Sequence, residues 1–187
     1  MPGRAATAST SRLSCAPSTA FAHGRRYCAR TSPASTSTPR SPAEMEDVGD
    51  IEALAGAADL LGSLPRDRWA IVTSASRELA HRRLAAAGLP LPPMLITAED
   101  VECGKPAPDC FQLAALRLGV NVKDCLVFED ATAGIQAAEA AGAGVVVIST
   151  THQHPMDTGH PMIDAYANVR AMVDAQGDLR IVALNNA

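Results

Sequence analysis

An apolar run that stops at two adjacent carboxylates constrains this chain more than any other feature. The stretch is Cys125-Leu126-Val127-Phe128-Glu129-Asp130-Ala131-Thr132-Ala133-Gly134-Ile135. A short apolar run without polar alternation reads as a strand buried on both faces, the pattern of a parallel sheet. The small residues and alanines that follow turn the chain straight into a helix. Glu129 and Asp130 then stand at the carboxyl edge of the sheet, where open α/β sheets bind ligands. Two hard oxygen ligands there suit Mg2+, which takes one or two carboxylates and keeps water and substrate phosphate as its other ligands. The competing reading is a helix start with acids on the positive end of its dipole. The stretch alone does not choose between them.

The rest of the chain repeats the same rhythm. Trp69–Thr73 predicts a buried strand, Arg77–Ala87 a helix closed by Gly88, and Met94–Thr97 a short strand after a loop with Pro90, Pro92 and Pro93. Pro108 and Asp109 suit the first turn of a helix whose face is Phe111, Ala114, Ala115 and Leu118, ending at Gly119. After the central strand come a helix over 132–141 and a buried strand, Val145–Ile148. Upstream, Ile51, Leu54, Ala58 and Leu61 share one helical face, which predicts a helix over 51–61. Beyond Thr150 the pattern weakens to a short helix near Val169–Ala175 and a last apolar run, Leu179–Leu184. Strands alternating with helices about every 25–30 residues from 69 to 148 predict an α/β fold, a doubly wound parallel sheet with right-handed crossovers. Hydrophobic residues make up 47% of the chain but aromatics only 3%, so its core is aliphatic, as helices packed on such a sheet require.

Charge divides the chain. Residues 1–43 hold six arginines and no acid, a charge of +6 against −4 for the whole, so the remainder carries −10. An acidic body argues against nucleic acid as a partner. No apolar run approaches the roughly 20 residues of a membrane span. Cys15, Cys28, Cys103, Cys110 and Cys125 are odd in number and lack a C-x-x-C pair, which favours reduced thiols over a disulfide frame or zinc site. Residues 1–43 read as an arm without structure, rich in Arg, Ser, Thr and Pro. Their composition also suits an organelle transit peptide, or a product of a wrong start or reading frame. A cytoplasmic location is expected, organelle targeting being the alternative. The core domain is expected over 44–187.

Three groups stand just after successive strands: Ser74 with Ser76, Lys105, and Glu129 with Asp130. Parallel topology brings them to one sheet edge. A hydroxyl beside helix-start N–H groups binds phosphate, an ammonium neutralises it, and a carboxylate pair holds Mg2+. Together they form a kit for phosphoryl transfer. Each has a plainer reading: the serines as helix caps, the lysine as a solvated loop residue. His152, His154 and His160 lack a completing ligand and read as a polar loop. Gly142-Ala143-Gly144 precedes a strand and reads as a helix stop, not a dinucleotide fingerprint.

The segments Ile71–Ser76, Gly104-Lys105-Pro106-Ala107-Pro108-Asp109 and Val127–Gly134 resemble motifs two, three and four of the haloacid dehalogenase (HAD) superfamily. The likeness covers roughly residues 50–150 and is nearest the sugar-phosphate phosphatase and β-phosphoglucomutase branch. It implies phosphate ligands in Ser74, Ser76 and Lys105, a catalytic role for Lys105, magnesium acids in Glu129 and Asp130, and a small phosphorylated metabolite as substrate. The family pattern also begins with Asp-x-Asp-Gly-Thr on a central strand, whose first aspartate is the nucleophile. These 187 residues contain no Asp-x-Asp, and the first carboxylate is Glu44. That strand would lie between 69–73 and 125–128. Without it a gap is expected, with unpaired backbone groups costing roughly 1–3 kcal/mol each when buried. Residues 1–43 substitute for it, or the two neighbours pair directly, or the chain is unstable. Ala22-His23-Gly24-Arg25-Arg26 is similar to a piece of the family's helical cap, with Arg25 a weak match to a substrate ligand, and 44–62 to the cap's return. The expected function is a magnesium-dependent phosphatase acting on a small phosphorylated sugar or polyol, impaired by the missing aspartate. The alternatives are a silent phosphate- or magnesium-binding module and a phosphoglucomutase-like transferase.

Overall fold

The structure is a computed structural model that describes residues 51–150, 157–175 and 177–184. The arm over 1–43, Arg25 and its cap-like segment, residues 44–50, and His152 and His154 lie outside the described residues.

Helix α1 (Ala57–Ser63) starts later than the apolar spacing at 51 and 54 predicts. Gly56 holds φ +80°, and any side chain on it would overlap the backbone of Ala167. The Ala167 N–H donates to the Ala55 carbonyl at 2.9 Å. Ala55 and Gly56 are thus held against a distant segment, a tertiary contact overriding local periodicity.

From Ile71 the alternation follows the sequence closely. The order is β1 (Ile71–Val72), α2 (Arg77–Ala86), β2 (Leu95–Ile96), α3 (Asp109–Leu118), β3 (Leu126–Glu129), α4 (Thr132–Ala141), β4 (Gly144–Ile148) and β5 (Met162–Ile163). The strands form two parallel sheets. In one, Ile71 pairs with Leu95 and Val72 with Ile96. In the other, β3 pairs with β4 from Leu126–Gly144 to Glu129–Val147, and β4 pairs with β5. Ile96, Phe111, Ala114, Val127, Ile135, Ala138 and Val147 form the buried core between sheet and helices. No disulfide joins Cys103, Cys110 and Cys125 among the described residues. None of the described helices is long and apolar enough to cross a membrane.

Among the described residues, β1 and β3 each pair along one edge only and are not hydrogen-bonded to each other. Both instead line one cavity of about 450 Å³. Direct pairing of these strands, one of the expected outcomes, does not occur. Helix α3 spans the break, packing on β1, β2 and α4.

The helix expected near Val169–Ala175 is a strand. β6 (Val169–Val173) pairs antiparallel with β7 (Leu179–Ala183), from Val169–Ala183 to Val173–Leu179. A turn held by Asp174 joins them: its carbonyl accepts from Gly177 N–H and its carboxylate from Asp178 N–H, both at 2.9 Å. Short apolar runs are ambiguous in period, and here the pairing partner decides.

Asp100 ties the end of β2 to two helices. One carboxylate oxygen accepts from the N–H and hydroxyl of the fully buried Thr97, both at 2.8 Å, and from Arg77 at 2.7 Å. The other faces Arg117 on α3 at 3.3 Å. The Thr97 hydrogen bonds foremost, with both arginines adding, hold the Asp100 carboxyl below its ordinary value against the opposing effect of burial. Its contribution to stability is therefore complete above the unfolded carboxylate value of about 3.9, and is lost as pH falls through the lower native value. Asp100→Asn is expected to lower stability at neutral pH by about 1–3 kcal/mol. In urea unfolding, its difference from wild type should shrink below pH 4.

Candidate active site

β1 and β3 end at one cleft of about 380 Å³. Thr73 and Ser74 reach it from the end of β1, Lys105 from the loop before α3, and Glu129 and Asp130 from the end of β3. Of the residues singled out in the sequence, the fold gathers Ser74, Lys105, Glu129 and Asp130. Ser76 is not part of the lining. Its hydroxyl accepts from Leu79 N–H at 3.3 Å and caps α2.

The centre of the cleft is the ion pair between Lys105 Nζ and Glu129 Oε1. Both side chains are largely covered, with 12% and 9% of their surface exposed. The other Glu129 oxygen accepts from the N–H groups of Asp130 and Ala131, at 3.0 and 3.2 Å. Glu129 thus folds back over the start of α4, where the helix dipole favours negative charge. Gly134 leaves the space for this, because a methyl group there would overlap the Glu129 carboxylate. Beneath Lys105, the Phe111 ring lies 5.0 Å from Nζ, within cation–π range. Each desolvated charge therefore faces compensating partners, as a covered ion pair requires.

Two cleft residues, Thr73 and Gly134, and one neighbour of the cleft, Tyr166, were not singled out in the sequence. Thr73 lines the cleft and its hydroxyl accepts from Ala75 N–H at 3.1 Å. Its place directly after β1 was the available signal. Tyr166 packs on Phe128, ring centroids 5.6 Å apart. Burial first, then the charges of Asp130 and Glu129, push its hydroxyl up from the ordinary tyrosine value. No local pattern places Tyr166 here, since it arrives from beyond β5. Gly134 was legible as a small residue but not as the seat of a carboxylate. His160 contacts Glu139 on α4 at 2.7 Å and is not among the cleft-lining residues.

Carboxylate and hydroxyl oxygens fit Mg2+ in kind. Among the described residues no cluster of three or more His, Cys, Asp or Glu could enclose a metal. The fit is therefore to the sparse type of magnesium site, with water and phosphate oxygens completing the shell.

The family model of the haloacid dehalogenase-like hydrolases matches residues 21–142. The chain belongs to this family. Among curated proteins it is 43% identical over 117 residues to hexitol phosphatase A of Escherichia coli, covering 62% of this chain and 52% of that protein. It is 40% identical over 98 residues to glycerol-1-phosphate phosphohydrolase 2 of Saccharomyces cerevisiae, covering 49% and 39%. Among solved structures it resembles CbbY from Rhodobacter sphaeroides in complex with phosphate, at 27% identity and TM-score 0.55, covering 61% of this chain and 54% of that one. It also resembles a HAD family hydrolase from Deinococcus radiodurans with bound phosphate and sodium, at 29% and 0.55, covering 62% and 56%. The chain spans about half the length, or less, of the curated relatives described here. As a HAD-like hydrolase it carries the α/β fold that its motifs implied.

Gly134→Ala should displace Glu129 and release Lys105. Lys105 and the exposed Lys123 are the only lysines in the sequence, so Lys123 serves as an internal reference. Amine acetylation read by mass spectrometry should rise several-fold at Lys105 and stay constant at Lys123. A helix gains from a Gly→Ala exchange in propensity alone, so lost stability is not the expected signature.

Proposed function

We propose that this chain carries the phosphate-handling part of a magnesium-dependent phosphatase for a small phosphorylated sugar or polyol. The observation that carries the reading is the covered Lys105–Glu129 pair in a cleft shared with Ser74 and Asp130. Ser74, with Thr73 beside it, offers hydroxyls to the phosphate oxygens at the entry to α2. Lys105 neutralises the phosphoryl group. Glu129 is a positioning residue, holding the ammonium in place from α4. Asp130, with Glu129 as the second acid, would hold Mg2+, whose chemistry there is charge neutralisation of the transferring group. Phosphoryl transfer is mostly positioning and electrostatics, so this set supplies much of what the reaction needs.

It does not supply an attacking group. Resemblance to the family implies an aspartate nucleophile within Asp-x-Asp, a pattern these residues lack. The same absence favours a second reading, a silent module that binds phosphate or magnesium without turnover. Two relatives support the substrate class, since the protein from E. coli is named for hexitol phosphates and that from yeast for glycerol-1-phosphate.

The chain as it stands should hydrolyse p-nitrophenyl phosphate at background. Fused behind a strand carrying Asp-x-Asp-Gly-Thr, it should gain magnesium-dependent turnover of small polyol phosphates. Lys105→Ala should then lower kcat by about 100-fold or more. Magnesium-dependent turnover by the unfused chain, abolished by Asp130→Ala, would overturn the missing-nucleophile reading. A fused chain that binds phosphate but never turns over would favour the silent module.

A further inference from the structure

Phe111 stands between the core and the cleft. Its ring is 7% exposed and belongs to the core cluster with Cys110, Ala114 and Val127. It does not line the cleft, yet the Lys105 ammonium lies over its face, 5.0 Å from the ring centroid. Local backbone bonds fix this overlap. Ala107 N–H donates to the Gly104 carbonyl at 3.0 Å and closes a turn that contains Lys105. Phe111 N–H donates to the Pro108 carbonyl at 3.1 Å, so the ring is carried by the first turn of α3. Burial foremost pushes the neighbouring Cys110 thiol up from its ordinary value, with the charge of Lys105 opposing. Ring and thiol thus bring no negative charge to the lysine.

Building on the phosphate reading of the cleft, we propose that Phe111 is a positioning residue for phosphate recognition, its ring face holding the Lys105 ammonium in place without cancelling its charge. Glu129 cannot do this alone. A lysine–carboxylate pair has no net charge, so an approaching phosphate is drawn by one partner and repelled by the other. An aromatic ring attracts a cation through its quadrupole and carries no net charge. It anchors the ammonium from the core side, and the positive charge is still felt in the cleft. The donor count agrees. An ammonium has three N–H donors and no acceptor. Glu129 takes one, and the ring face holds the charge from another side. A further donor can then reach into the cleft that Lys105 lines. Phosphate would meet a charge already in place, which is the condition for strong electrostatic recognition.

The test separates ring electrostatics from ring packing. Mono-, di- and trifluorophenylalanine are placed at position 111 of the full chain. Fluorine withdraws charge from the ring face and leaves the shape and apolar character of the ring nearly unchanged. Two quantities are read: acetylation of Lys105 against the Lys123 reference, and binding of inorganic phosphate by calorimetry. Each added fluorine should raise Lys105 acetylation and weaken phosphate binding, with the trifluoro ring changing both by about two- to tenfold. A ring that only fills space would leave both readouts flat across the series. Flat readouts in chains that still bind phosphate would overturn the role of Phe111 and leave the phosphate reading standing. Lys105→Met tests that reading separately and should abolish phosphate binding. A wild-type chain that binds no phosphate, or a Lys105→Met chain that binds it undiminished, would overturn both.

Discussion

The Glu129 carboxylate is the contact on which the cleft depends. It joins three things that the sequence supplies separately: a lysine before α3, the end of β3 and the first turn of α4. One oxygen meets the ammonium and the other meets two backbone N–H groups. Gly134 leaves the space in which this can happen. Each element alone is ordinary. A lysine held against a carboxylate, over the face of Phe111, is an ordered charge in a covered place, and ordered charge is what phosphate recognition requires.

Away from the cleft, the described part of the fold is governed by the separation of β1 from β3. In an intact parallel sheet each interior strand is hydrogen-bonded on both sides, and its side chains are covered on both faces. Among the described residues, β1 and β3 have neither a shared neighbour nor each other. Packing of α3 across the break keeps the two sheets together, and the carboxyl ends still converge. That the cleft survives this separation follows from where its residues are anchored. Lys105 and Glu129 are tied to each other and to α4, whereas the hydroxyls rest on β1 and α2. The half of the cleft around α4 is therefore held independently of β1, while the half with Thr73 and Ser74 depends on α3 and the Asp100 network.

Legibility in the sequence follows the range of the deciding interaction. Helices α2, α3 and α4 were readable because capping residues and apolar faces lie within each of them. Strands β3 and β4 were readable as uninterrupted apolar runs. Helix α1 was misread at its start because Gly56 answers to Ala167, far along the chain. The segment at 169 was misread as helix because a five-residue segment as short as Val169–Val173 takes its period from its partner, here β7. Ser76 illustrates a choice the sequence left open between phosphate ligand and cap, and the hydroxyl contact with Leu79 N–H gives it the cap.

The sequence by itself determined the fold class, the family and the chemical kit, because strand–helix alternation and short motifs are local properties of the chain. It also fixed the absence of an Asp-x-Asp pair among these residues. Only the tertiary structure decided which of the candidate groups meet, that Glu129 faces Lys105 through the space left by Gly134, and that Thr73 joins them. It alone decided that β1 and β3 stay apart around an apolar cavity instead of closing on each other. The reason is physical: such outcomes depend on distances between segments far apart in the chain, and those distances are set by how helices and sheets pack, not by the order of residues within any one of them.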